Sequence, residues 1–90
     1  MFDDDSKRDR ERKVVRELEK QAISSVMRTE SGRGFMFKCL QNCGTFSSSF
    51  SEDTHKHAYF AGMRSHGLWL DGELRSAAPE DYYKMLRENM

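Results

Sequence analysis

An all-α fold follows from three features of this 90-residue sequence. Residues 6–28 contain no Gly or Pro and are dense in Arg, Glu, Lys, Leu and Ala, the strong helix formers. Apolar residues recur at three- and four-residue steps, the repeat of one helix face. Between the apolar runs stand capping and breaking residues: Thr29 to Gly34, Gly44 to Ser51, and Ala78-Pro79. The expected architecture is a small helical hairpin or three-helix cluster over residues 31–90, with an extended, charged N-terminal helix over 1–30.

The first helix is expected to start at Ser6, an N-cap residue with Asp9 at its N3 position. Val14, Val15, Leu18, Ala22, Ile23, Val26 and Met27 give its second half an apolar stripe that the first half lacks. Residues 29–34 form the first hinge, as a tight turn or as a kink. A short second helix then carries Phe35, Met36, Phe37, Leu40 and Cys43, and Gly44 stands where a left-handed C-cap belongs. Residues 44–51 read as a loop held to the core by Phe46 and Phe50, with a short strand as the alternative. Ser51 opens a third helix that runs through Phe60, Met63, Leu68, Leu70 and Leu74 to about Ala77. Gly62 and Gly67 weaken it, which points to close approach by another backbone, such as the second helix, or to a break near Gly67. Pro79, followed by Glu80 and Asp81, opens a final helix to about Glu88 that buries Tyr82 or Tyr83 with Met85 and Leu86.

A chain this short hides only about 60% of its unfolded surface, so a partner or an oligomer is expected to complete its core. With 37% hydrophobic and 33% charged residues there is material for two or three packed helices, but none for a second layer behind a deep pocket. The chain is therefore expected not to be an enzyme, and no residue is assigned as catalytic. Its 15 basic and 15 acidic residues cancel, so any attraction for nucleic acid must be local. No apolar run is long enough to span a membrane and the N-terminus is acidic, which supports neither secretion nor insertion.

Cys39, Cys43, His55, His57 and His66 have metal-ligand chemistry, but the cysteines lie four apart in a helical segment, so two small buried reduced thiols are the simpler reading. Neither a metal nor a cofactor is expected. His55 and His57 fall in ordinary helix surface, and His66 reads as a packing or interface residue. Gly32-Arg33-Gly34 resembles half of a phosphate cradle but lacks the ending of a P-loop. Lys7, Arg8, Arg10, Arg12, Lys13 and Arg16 outnumber Asp9 and Glu11, so Arg8, Arg10 and Arg12 are candidates for phosphate contact on packaged DNA. With no aromatic interleaved, base stacking and sequence-specific reading are not expected there.

From Met27 onward the chain resembles a family of short bacteriophage proteins named after a Bordetella phage member. The matching runs are Met27-Arg28-Thr29-Glu30-Ser31-Gly32-Arg33-Gly34-Phe35, Cys43-Gly44-Thr45-Phe46, Ser48-Ser49-Phe50, Phe60 to Leu70, and Pro79 to Glu88. Met63 and His66 stand where basic or variable residues are expected. The resemblance implies a phage protein from the gene region of head and portal proteins. It therefore suggests a virion component of a short-tailed phage, made in the host cytoplasm. In that setting an aromatic helical surface would dock in multiple copies on portal, adaptor or internal core proteins, with Phe46, Phe50, Arg64 and Trp69 as contacts. The alternative is a small intracellular phage protein that binds nucleic acid or a host enzyme through its basic N-terminal helix.

Overall fold

The computed structural model describes residues 2–47 and 53–90, with side chains from residue 5 onward. Its elements are four helices: α1 (Phe2–Met27), α2 (Glu30–Asn42), α3 (Thr54–Ala77) and α4 (Pro79–Asn89). The fold is all-α, as the composition and spacing predict, and no strand occurs among the described residues.

Three boundaries differ from expectation. Ser6 is not a cap but lies inside α1, because nothing in residues 2–27 interrupts helix propagation. The hinge over 29–34 contracts to Arg28 and Thr29. Thr29 takes extended backbone angles and its hydroxyl accepts from the Gly32 amide at 3.0 Å, so α2 starts at Glu30 and absorbs both glycines. Gly32 permits this tight entry, since a Cβ there would sit 1.9 Å from the Val26 carbonyl oxygen. The N-cap of α3 is Asp53, whose carboxylate accepts from the Lys56 amide at 2.9 Å. Ser51 lies outside the described residues, as does Phe50.

The C-terminus of α2 closes as its sequence predicts. Gly44 has φ 70°, its amide bonds to the Gln41 carbonyl at 2.9 Å, and the Thr45 amide bonds to Leu40 at 3.1 Å, the paired bonds of a Schellman turn. Pro79 occupies the first turn of α4, with Glu80 and Asp81 against the positive end of the helix dipole.

The core is small: Met27, Phe37, Leu40, Leu74, Ala78, Tyr82 and Met85 are buried, with Ile23, Met36, Leu70 and Leu86 packed against them. Of the two terminal tyrosines, Tyr82 goes inside and Tyr83 stays outside. Cys39 and Cys43 are free thiols and only half-buried, not buried as expected, because each stands beside the core-facing line of Phe37 and Leu40. The molecule is flat, 53 × 35 × 15 Å, and its radius of gyration is 16.7 Å against about 12 Å for a compact domain of this length. A slab this thin leaves α1 and α3 each with one long side uncovered.

Polar locks hold the slab together. Arg33, only 4% exposed, donates from Nη1 to the carbonyls of Met27 and Arg28 at 3.0 Å each, satisfying acceptors left over where α1 ends. Its other nitrogens grip Glu88 of α4 at 2.8 to 3.2 Å. One side chain thus ties α1, α2 and α4. A second lock joins α3 to α4: buried Asp71 accepts from the Tyr82 hydroxyl at 2.5 Å and from Arg75 Nε at 2.8 Å. The Arg75 guanidinium also lies 4.6 Å from the Tyr82 ring centre. Burial first, then the bond to Asp71, pushes the Tyr82 phenol above its ordinary pKa; Arg75's own bond to Asp71 raises that of its guanidinium.

Candidate protein-binding surface

Two regions present apolar side chains to the outside. The first is α1. Of the predicted stripe, Met27 is fully buried and Ile23 partly, whereas Val14, Val15 and Leu18 are 59%, 55% and 59% exposed. Along a 100° helical repeat, Arg16, Lys20, Ile23 and Met27 fall on the side packed against the other helices. Val15, Leu18, Ala22 and Val26 fall on an adjoining side, which faces outward. The amphipathic pattern of α1 therefore has two sides, and only one of them is used inside the chain. Arg16 reaches Glu73 at 2.5 Å and Glu19 at 3.2 Å, and Ser24 donates to the Ala77 carbonyl at 3.0 Å, so α1 rests on the C-terminal part of α3. Arg8, Arg10 and Arg12 are exposed and join no ion pair among the described residues.

The second region is α3 with the turn before it. Gly67 is where α2 meets α3: a Cβ there would lie 2.1 Å from Thr45 Oγ1 and 2.7 Å from Cys43 Cβ. The close approach expected at this glycine is thus made by the end of α2, and α3 passes through without a break. Thr45 Oγ1 is enclosed at this contact with no hydrogen-bond partner, a cost accepted for the tight fit. Gly62 has open space instead, with nothing within 4 Å of a Cβ, and so does Gly72. In a helix each costs roughly 1 kcal/mol relative to alanine, which no contact among the described residues explains.

The residues expected as contacts are only partly gathered. Trp69 is 58% exposed and lies against His66, ring centres 5.3 Å apart. Phe46 stacks on Phe37 at 5.6 Å, so one of its faces supports the core while the ring stays 44% exposed. Arg64 is half-buried and donates from Nε to the Ser47 carbonyl at 2.9 Å, which fastens the turn after α2 onto α3. Arg64 positions this surface as well as lining it. Tyr59, Phe60 and Leu68 are exposed on the same helix and lie outside the set of expected contacts. Among the described residues no group of three or more His, Cys, Asp or Glu gathers as a metal site would need. No helix is long and apolar enough to cross a membrane.

The sequence pattern of this slab has relatives. The family model described as Bbp19-like phage protein matches residues 23–87, which run from the last turns of α1 nearly to the end of α4. The chain belongs to the Bbp19-like phage proteins. The matched segment contains Arg33, the Asp71 lock, Gly67 and the whole of α3, whereas the basic half of α1 precedes it and Glu88 follows directly after it. No curated protein and no solved structure matches the chain.

Proposed function

We propose that this Bbp19-like protein is a small structural or accessory component of a short-tailed phage particle. It acts without catalysis, by docking on portal, adaptor or internal core proteins. One observation carries this reading: Tyr59, Phe60, Leu68 and Trp69 on α3 and Phe46 before it lie outside a core too small to take them. Large aromatics left in water concentrate binding energy once a partner covers them. Arg64, held by the Ser47 carbonyl, supplies a charged group beside the set. Mass spectrometry of purified particles, with intensity calibrated to the portal protein, tests the proposal. The expected result is a copy number related to the portal ring. Absence from particles, with abundance in infected cells, would overturn it. Trp69→Ala is expected to lower the copy number several-fold while leaving the helical circular dichroism signal intact.

A second reading rests on Arg8, Arg10 and Arg12 of α1, which are exposed and join no ion pair among the described residues. If they meet phosphates of packaged DNA, binding to duplex DNA falls steeply with salt, by a log–log slope of about 0.9 per phosphate contact. Replacing the three by Gln is expected to flatten that slope, and an unchanged slope removes this reading.

A further inference from the structure

The outward side of α1 is complementary to itself in one direction only. Arg8, Glu11, Val15, Leu18, Ala22 and Val26 fall within about 80° of the helix surface, and all six are exposed. Arg12 and Glu19 border this strip on one flank, Lys7 and Val14 on the other. Along the first flank runs a shallow groove lined by Arg12 and Glu19 together with Glu11 and Val15. Arg12 joins no ion pair among the described residues, and Glu19 uses one carboxylate oxygen on Arg16.

These positions decide which way round a second copy fits. Laid parallel and in register, it sets Arg8 on Arg8 and Glu11 on Glu11, and it brings Arg12 of one helix to the Lys7 flank of the other. All three are contacts of like charge. Laid antiparallel about a two-fold axis between Arg16 and Glu17, it sets Val15 against Leu18 and the stem of Glu11 over Ala22, with Arg8 level with Ser25. Such an axis brings equal flanks together. Arg12 of each copy then faces Glu19 of the other, within about half a turn of the same level. On the second flank Lys7 falls beside Ser25 and Val14 beside Gln21, both neutral neighbours.

We propose that two copies of this chain pair antiparallel through the outward side of α1, with Val15 and Leu18 at the centre and Arg12 paired with Glu19 of the other copy on one flank. The contact is isologous, so each ion pair occurs twice. It lies away from the aromatic surface of α3 and does not rest on the docking role of that surface. With one valine and one leucine from each copy at its centre the seam is short, so the copies pair at high micromolar concentration and separate at low.

Sedimentation equilibrium of the full chain at high micromolar concentration is expected to give the mass of two chains. Arg12→Glu alone and Glu19→Arg alone set like charges across the seam, and each is expected to give one-chain mass with an undiminished helical circular dichroism signal. Combining the two restores opposite charges and is expected to bring the pair back. Direction is read with cysteines: Arg8→Cys and Ser25→Cys are made singly in a Cys39→Ser, Cys43→Ser background and oxidised. The mixture is expected to cross-link and neither variant alone, because residue 8 of one copy stands about 26 Å along the helix from residue 8 of the other. A one-chain mass for the unaltered protein, a pair that survives either charge reversal, a combined variant that stays single, or cross-linking of Arg8→Cys with itself would each overturn the proposal. So would loss of the pair in Trp69→Ala, which would place the contact on α3. A one-chain mass combined with stoichiometric recovery from particles would refute the pairing and leave the virion reading standing.

Discussion

The two ends of the apolar stripe on α1 keep the same spacing and meet opposite surroundings. At the C-terminal end Met27 is fully buried, its carbonyl is held by Arg33, and Ile23 packs on the core. Toward the N-terminus of the stripe Val14, Val15 and Leu18 are more exposed than covered, between charged neighbours. An apolar stripe is therefore no measure of burial by itself. What decides is whether another element closes on it, and here closure follows the polar locks. Where Arg33 and Asp71 gather helices, the apolar residues go inside. Where no such residue acts, the stripe remains available to an outside partner.

That contrast is broken most severely at Arg33. Arg33→Ala strands Glu88 and the last carbonyls of α1, and is expected to cost about 3 to 5 kcal/mol, the range for breaking a buried ion pair. Urea denaturation checks it; a loss within the range of surface substitutions would show the lock to be dispensable. Next, Gly67→Ala forces Thr45 and Cys43 away from α3 and is expected to cost about 1 to 3 kcal/mol. Gly62→Ala, with open space around it, is expected instead to gain up to about 1 kcal/mol. Thermal melts of the pair give opposite signs if only one glycine is structural.

The Asp71 lock is sharpened by pH. Because the folded phenol of Tyr82 ionises above its ordinary value of 10.0, its contribution is present below that pH and is lost as pH rises through the higher folded value. Tyr82→Phe is expected to cost about 1 to 3 kcal/mol at neutral pH and to reduce the alkaline loss. The smallest effect belongs to the open end of α1. Leu18→Ser is expected to shift stability by no more than about 0.5 kcal/mol. A larger loss would mean that this side is already covered.

The features legible in the sequence are those written into a few neighbouring residues. The stop at Gly44, the start at Pro79 and the end of α3 at Ala77 need only local backbone preference, and all three stand as read. Gly67 was legible as a close approach because glycine in a helix demands a reason. The reach of Arg33 to Glu88 and of Asp71 to Tyr82 was not legible. Each joins residues far apart in the chain, and nothing local separates a buried arginine from the solvated ones around it. The same limit hid the division of α1: periodicity gives the direction of a side, not its occupant. On α3 Trp69 and Arg64 were named through the family resemblance and not by spacing, and the open surroundings of Gly62 were not legible, since a glycine in a helix does not show which neighbour it meets.

The Arg33 junction also makes the far end of the chain a steering element. Glu88 holds the guanidinium, and the guanidinium fixes the carbonyls from which α1 departs. The angle at which the basic helix leaves the slab is thus set partly by a residue 55 positions past Arg33 in the chain. A tag or fusion that pulls Glu88 aside would swing α1 without touching it, so a label for locating this protein in a particle is better carried by the exposed first turns of α1.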